Sequence, residues 1–217
     1  MEVSRQPAAR LAVMASGNGS NLQALLDACA DGRLTGLAEV VTVISDRGDA
    51  GALTRGADAD VPSLHVGARY DETRSDYDAR LADVVADFEP DLVVLAGWML
   101  ILSTAFLRRF PDRVVNLHPA KPGELPGTRA IERAWQEALA GERTETGVMV
   151  HLVPAEGVDT GPVLATETVP IELDDTIDTL SERIHCAERR LLVDTIRTLS
   201  TQRTRHIVTT DMREITA

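Results

Sequence analysis

The feature of this sequence that most constrains its fold is a repeated alternation of short apolar runs with stretches of helical periodicity. The apolar runs are bounded by turn residues and have the composition of strands covered on both faces; they span 11–15, 39–45, 91–97 and 114–118. Between them, apolar residues recur at the spacing of one helix face, first at 22–29 and again at 77–88. This order predicts a doubly wound α/β fold, with a mostly parallel sheet and helices on both faces.

The C-terminal half carries two more strand candidates, 146–153 and 161–171, joined by a short loop that favours antiparallel pairing. A long helix is predicted from roughly Thr176 to Ser200. A chain of 217 residues fits one α/β domain. We therefore expect a single domain over 1–217, with 1–9 and about 205–217 as flexible or peripheral tails.

Charge and composition exclude several classes of partner. The formal net charge is −12 and the isoelectric point is near 4.8, whereas nucleic acids and anionic membranes select surfaces rich in Lys and Arg. No apolar run approaches the ~18–20 residues of a membrane span, and the first ten residues lack the apolar core of a signal peptide. Cys29 and Cys186 lie among apolar neighbours in predicted helices, so we expect buried thiols and a cytoplasmic location.

A glycine-rich turn, residues 15–21, leads from the first predicted strand into a helix. Exposed N–H groups and the helix dipole favour an anion there, and Ser20 and Asn21 add side-chain donors. The alternative is a plain turn in which Asn21 caps the helix. The dinucleotide fingerprint lacks its third glycine, which is replaced by Leu22, and the lysine of a P-loop is absent. The pattern favours a phosphate monoester over a plain turn, and both over NAD.

Two polar side chains lie at the end of the fourth predicted strand. Asn116 and His118 are two positions apart and therefore share a face, and Pro119 ends the strand at the sheet edge where open α/β sheets bind ligands. An amide donor beside an imidazole suits chemistry at a carbonyl. Asp159, in the loop between the two late strands, is a candidate to orient the histidine. A capped strand end with a surface histidine, together with an Asx turn at Asp159, is the alternative.

The remaining histidines do not form a pattern. His65, His151 and His206 are scattered singly, which favours core or surface roles. We therefore expect no metal site.

These motifs together resemble a known family. "SGNGSNLQALLDA", "VVLAGWMLILS", "VVNLHPA" and "EGVDTGPVL" are similar to the 10-formyltetrahydrofolate-dependent formyltransferases, from about Leu11 to Leu192. The Gly-Asn-Gly-Ser-Asn turn narrows the resemblance to members that formylate phosphoribosylglycinamide in purine biosynthesis. The resemblance implies small-molecule substrates, with 10-formyltetrahydrofolate as co-substrate and no metal. A homodimer is expected by analogy only.

The resemblance also implies a role for each matching position. The catalytic residues would be Asn116, His118 and Asp159, with the amide and a protonated imidazole meeting the oxyanion and the aspartate keeping His118 charged. The phosphoribosyl group would contact Gly19, Ser20, Asn21, His185 and Glu188. The folate would contact Arg74, Met99, Leu100, Ile101, Leu102, Asn116, Ala155, Glu156, Gly157, Val158 and Asp159.

Three departures from the family pattern concern the site. The loop after Pro119 reads "AKPGELPG" where many relatives have Ser-Leu-Leu-Pro, Leu100 replaces an arginine, and His185 replaces a glutamine. Two other enzymes stay open as alternatives, an N-formyltransferase for a sugar nucleotide and a hydrolase that releases formate from the cofactor. A non-catalytic module that binds a phosphosugar is a third alternative, although it would not need Asn116, His118 and Asp159 together.

Overall fold

The computed structural model describes the backbone of residues 7–214 and the side chains of 7–30 and 32–202. Strands and helices alternate along most of the chain. The strands are β1 Ala9–Met14, β2 Ala38–Ser45, β3 Ser63–His65, β4 Leu92–Leu95, β5 Val114–His118, β6 Glu145–Leu152 and β7 Val163–Pro170. The helices are α1 Ser20–Asp31, α2 Gly51–Asp58, α3 Arg74–Ala86, α4 Thr104–Leu107, α5 Ala130–Leu139 and α6 Ile177–Glu214.

The seven strands form one sheet in the order β3-β2-β1-β4-β5-β6-β7. Neighbours from β3 to β5 are parallel, whereas β5 pairs with β6 and β6 with β7 in antiparallel fashion. The predicted doubly wound, mostly parallel sheet with antiparallel pairing in the C-terminal half is therefore confirmed.

Each parallel strand sends alternate side chains to two cores, as a sheet covered on both faces requires. Leu11 and Val13 of β1 pack into the core beneath α1 and α6, whereas Ala12 and Met14 pack into the core beneath α3 and α4. The apolar runs of the sequence are thus continuous because both faces of these strands are buried.

Some local predictions differ from the structure. Strand β3 has only three residues and was not predicted, and α6 continues to Glu214, beyond the expected end near Ser200. Cys29 is partly buried and Cys186 is exposed, so the prediction of buried thiols is wrong for Cys186. Residues 1–6 and 215–217 of the predicted tails lie outside the described part of the chain.

The strand order reverses between β1 and β4, and because these two strands are parallel, both end at the same edge of the sheet. Beyond the strand ends, Ser16 donates its backbone N–H to the Gly97 carbonyl at 3.0 Å, and Ser16 Oγ accepts from Met99 N at 2.9 Å. The glycine-rich turn and the segment after β4 are therefore fixed to each other at the switch point, where open α/β sheets bind ligands. Across residues 7–214, none of the helices has the length and apolarity to cross a bilayer.

Candidate active site

A cavity of about 760 Å³ opens along the carboxyl edge of the sheet, a volume in the range of small-molecule sites. The structure places every predicted site residue in its lining except Arg74. The predicted residues that line it are Gly19, Ser20, Asn21, Met99, Leu100, Ile101, Leu102, Asn116, His118, Ala155, Glu156, Gly157, Val158, Asp159, His185 and Glu188.

His118 lies between two acceptors in the cavity wall. Its Nδ1 is 3.3 Å from Asp159 Oδ2, and its Nε2 is 3.1 Å from the Leu125 carbonyl oxygen. Because a carbonyl can only accept, Nε2 carries a proton in this arrangement. Only the doubly protonated imidazolium satisfies both partners at once.

Burial and charge act in opposite directions on this pair. The His118 side chain is almost fully buried, which lowers the pKa of the imidazole, and the nearby Asp159 carboxylate offsets only part of that effect. Burial alone would raise the pKa of Asp159, but the neighbouring His151 ring, a hydrogen bond from the Gly127 N–H and the charge of His118 hold it below its ordinary value. Asp159 is therefore favoured as an anion, whereas burial makes the second proton of His118 easier to lose than that of an exposed histidine.

A second histidine belongs to this cluster: His151 is buried, as a core role predicts, but it also contacts the polar residues of the site, which the sequence did not indicate. Asn116 Nδ2 is 3.1 Å from His151 Nε2 and donates to Asp159 Oδ1 at 3.1 Å. His151 Nδ1 is 2.8 Å from the Leu152 carbonyl, so the proton on Nδ1 leaves Nε2 to accept from the amide. Antiparallel pairing places Asn116 directly opposite His151, and the sequence carries no local signal of that register. His65 is exposed, and the side chain of His206 is outside the described residues.

The loop that carries Asp159 needs an unusual backbone. Asp159 has φ 53°, a left-handed conformation that Asp and Asn tolerate better than most residues. Its Oδ2 accepts from the Gly127 N–H at 2.8 Å. A Cβ atom on Gly161 would lie 1.7 Å from the Leu152 carbonyl oxygen, so only glycine fits there. The carboxylate is thus aimed at the histidine by the shape of its loop.

The glycine-rich turn leaves the start of α1 open. The N-cap is Gly19, with φ 80° and no side-chain cap, so the alternative in which Asn21 caps the helix is wrong. A Cβ on Gly19 would lie 2.8 Å from Ala52 Cα, so both φ and contact require glycine. The first N–H groups of a 12-residue helix therefore face the cavity without a side-chain acceptor, an arrangement that attracts anions.

Arg55 of α2 holds this turn from outside the cavity. Its guanidinium donates to the Asn18 carbonyl and to Asn18 Oδ1, both at 2.8 Å, and to Gln23 Oε1 at 3.1 Å. One side chain thus ties the turn to the first turn of α1. No local pattern of the sequence indicates this role for Arg55, because its partners are close only in the folded chain.

Beside the turn, α6 contributes a buried carboxyl group. Glu188 Oε2 lies 3.5 Å from Asn21 Nδ2 and 4.0 Å from His185 Nε2. Burial raises the pKa of Glu188 to about 7. Burial and the charge of Arg189 lower the pKa of His185. The buried Asn21 Oδ1 has no hydrogen-bond partner among the described residues. This part of the cavity therefore offers an unpaired acceptor next to a carboxyl group, an arrangement that could accept hydrogen bonds from a hydroxylated ligand.

The opposite wall combines the segment after β4 with the loop before β7. Met99 and Ile101 are exposed towards the opening, whereas Leu102 is buried in the core. Glu156 joins the two parts, since its Oε1 accepts from the backbone N–H and, at 2.7 Å, from the hydroxyl of Thr104. This apolar slot is suited to a flat aromatic ligand.

Arg74 lies behind this wall. Its guanidinium donates to Asp78 Oδ2 at 3.1 Å and to the Ile101 carbonyl. Asp78 is fully buried and also accepts from the Ser103 N–H at 2.6 Å. Arg74 therefore supports the segment that lines the slot, and its expected contact with a folate stays a prediction.

The chain is similar in sequence and in structure to proteins of one family. The family described as Formyl transferase matches residues 9–196. A phosphoribosylglycinamide formyltransferase of Schizosaccharomyces pombe is 44% identical over 203 residues, which cover 89% of this chain and 98% of that protein. A phosphoribosylglycinamide formyltransferase of Mycobacterium tuberculosis is 44% identical over 193 residues, with 89% of this chain and 86% of that protein covered.

The fold agrees with these sequence matches. The crystal structure of glycinamide ribonucleotide transformylase 1 from Symbiobacterium toebii superposes with a TM-score of 0.83 at 38% identity. The match covers 90% of this chain and 89% of that one.

Proposed function

The chain belongs to the formyl transferase family, and we propose that it transfers the formyl group of 10-formyltetrahydrofolate to the amine of phosphoribosylglycinamide. The relatives named for this activity match nearly the full length of the chain. The observation that carries the proposal is the meeting, in one cavity, of an open helix N-terminus with an Asn–His–Asp cluster. A substrate whose phosphate binds at the helix N-terminus would place its remaining atoms next to the Asn–His–Asp cluster.

The cavity suggests how the two substrates are oriented. The phosphate binds the N–H groups at Gly19, Ser20 and Asn21, and the ribose hydroxyls meet Glu188 and the unmet Asn21 oxygen. His185 lies at the same corner. The folate fills the slot formed by 99–102 and 155–159, with its formyl group directed at Asn116. The glycinamide amine and the formyl carbon then approach each other beside His118.

Asn116 and His118 stabilise the charge that develops as the amine attacks. The new N–C bond pushes an electron pair onto the formyl oxygen, which becomes an oxyanion. Both hydrogens of Asn116 Nδ2 are directed at acceptors, Asp159 and His151, so the oxyanion replaces one of them. The imidazolium form of His118 supplies the opposite charge. Asp159 stabilises that form and so counteracts the effect of burial on its pKa.

The step is completed when the bond from the formyl carbon to N10 breaks. The attacking nitrogen loses a proton, and N10 gains one as it leaves. Asp159 is an anion within 3.3 Å of His118, so the pair can receive the first proton and return it to N10, directly or through water. No covalent intermediate on the protein and no metal enters this scheme. A cytoplasmic location and a homodimer stay predictions.

An assay of formyl transfer tests the proposal. The purified protein, mixed with 10-formyltetrahydrofolate and phosphoribosylglycinamide, should form tetrahydrofolate and the formylated amide in equal amounts. His118→Ala is the matched control and should bind both substrates while turnover falls by a large factor. Formate release without an amine substrate would indicate the hydrolase instead, and turnover only with a sugar-nucleotide amine would indicate the other transferase. Binding of a phosphosugar without any turnover would indicate the non-catalytic module.

A further inference from the structure

We propose that Arg133 is a positioning residue for catalysis, which acts on His118 through the carbonyl oxygen of Leu125. The inference deepens the proposed function and rests on it. None of the matched motifs contains Arg133, and its side chain does not line the cavity. Its effect is therefore indirect.

The carbonyl oxygen of Leu125 accepts two hydrogen bonds, one from His118 and one from Arg133. His118 Nε2 lies 3.1 Å from this oxygen, and Arg133 Nη2 donates to the same oxygen at 2.7 Å. Arg133 Nη2 also lies 2.7 Å from the Pro126 carbonyl. A carbonyl oxygen has two lone pairs, so both donors can be satisfied together. One guanidinium thus fixes the orientation of two consecutive peptide groups beside the imidazole.

The backbone at Leu125 would not hold this orientation by itself. Leu125 has φ 46°, in the left-handed region that residues with bulky side chains rarely adopt. Its side chain is buried against Ala120, Ala130 and Ala134, which places the residue but leaves its peptide plane to be set by hydrogen bonds. Strained backbone of this kind persists only where its surroundings hold it. Arg133, one turn into α5, supplies those hydrogen bonds.

The orientation of this carbonyl shifts the balance between the two neutral tautomers of His118. With the oxygen in place, a proton on Nε2 has an acceptor, which competes with the preference of the Asp159 carboxylate for a proton on Nδ1. If the carbonyl turned away, a neutral His118 would prefer its proton on Nδ1, next to the Asp159 carboxylate, and Nε2 would be left bare. His151 and the Arg133 charge also face the ring, and both oppose its protonation. Arg133 therefore favours the correct tautomer by geometry rather than by its charge.

Arg133→Met tests this link because it keeps the apolar stem and removes the donors. We expect kcat to fall between about 10-fold and 100-fold, since small errors in the position of a catalytic group have effects of that size. The KM values for both substrates should change less than about threefold, because Arg133 touches neither binding region. In ¹⁵N NMR spectra at high pH, wild-type His118 should show a larger population with the proton on Nε2 than Arg133→Met, in which the population should shift towards Nδ1.

Two variants control for loss of structure. Arg133→Lys keeps a donor that can reach the carbonyl and should recover a large part of kcat and of the Nε2–H tautomer. Glu132→Gln changes the exposed neighbour on the same helix and should leave both unchanged. If Arg133→Met does not fold, Arg133→Lys and Arg133→Gln carry the test, with the NMR tautomer as the readout.

The outcomes separate this inference from the proposed function. Wild-type kcat and an unchanged tautomer in a folded Arg133→Met would overturn the role of Arg133, even if formyl transfer is confirmed. Loss of kcat with an unchanged tautomer would overturn it as well, because the route through His118 would then be absent. If the wild-type protein transfers no formyl group, the proposed function fails, while the tautomer measurement still decides whether Arg133 positions His118.

Discussion

Replacing Glu188 by glutamine should stabilise the protein at pH 8 and weaken its binding of the phosphoribosyl substrate. Glu188 is 6% exposed, and its contacts with Asn21 and His185 are long, at 3.5 and 4.0 Å. Neither partner therefore compensates in full for removing the carboxylate from water. Glutamine has nearly the same shape and can keep the contact with Asn21, but it carries no charge.

The magnitude follows from the pKa. Burial raises the pKa of Glu188 from 4.5 to about 7, which at about 1.4 kcal/mol per pH unit corresponds to about 3 kcal/mol. Between these two values the folded protein keeps a proton that the unfolded chain has released, so the free energy of unfolding falls as pH rises. Above the pKa in the folded protein, the full energetic cost of burying the Glu188 carboxylate is present, and below pH 4.5 this cost vanishes. From pH 5 to pH 8 the free energy of unfolding of the wild type should therefore fall by about 2–3 kcal/mol relative to that of Glu188→Gln.

Urea unfolding of both proteins at pH 5 and pH 8 measures this difference. Glu182→Gln, an exposed position on the same helix, is the matched control and should show the same pH dependence as the wild type. At pH 8 the KM of Glu188→Gln for phosphoribosylglycinamide should rise about 10-fold or more, as for a lost hydrogen bond to a charged group, with the KM for the folate unchanged. A stability difference that is equal at the two pH values would refute the reasoning, because it would not come from ionisation.

Four further substitutions address other parts of the site. Asp159→Asn removes the carboxylate charge that stabilises the imidazolium form of His118, so the pKa of His118 should fall and the alkaline limb of the pH profile of kcat should move to lower pH. An unchanged alkaline limb would contradict the pairing of Asp159 with His118. Asn21→Ala and Arg55→Met should each raise KM for the phosphoribosyl substrate far more than for the folate, and equal effects on both would refute the phosphate assignment. Gly161→Ala should reduce kcat and lower the free energy of unfolding, measured by urea titration, by about 2 kcal/mol or more. A variant as stable as the wild type would disprove the close contact between position 161 and the Leu152 carbonyl.

Local sequence patterns predicted the parts of the fold and site that depend on neighbours along the chain. The strands covered on both faces carry continuous apolar runs, and their carboxyl ends share one edge of the sheet. Residues just after β1 and at the end of β5 therefore had to lie close together, whatever the details of packing. Asn116 and His118 could be predicted because a strand places alternate residues on one face.

Contacts that depend on register could not be predicted in this way. His151 is one of several polar residues in the eight-residue strand β6. It reaches the site because it pairs with Asn116 of β5. A shift of one residue would turn it to the other face of the sheet. The positions of Arg55 and Arg133 likewise depend on how helices pack beside loops, which no periodicity of the sequence encodes.

Part of the backbone strain and of the buried charge lies at the site. Of the six described non-glycine residues with positive φ, Leu125, Arg129 and Asp159 lie in the loops around His118. Glu188 adds a buried carboxyl group at the other end of the cavity. The hydrogen bonds that hold the strained loops involve the site itself, since Asp159 accepts from Gly127 and Leu125 accepts from His118. Stability and catalysis are therefore coupled at these positions, and substitutions there must be compared by kcat per folded molecule, with Asp159→Asn preferred to alanine because Asn also tolerates φ 53°.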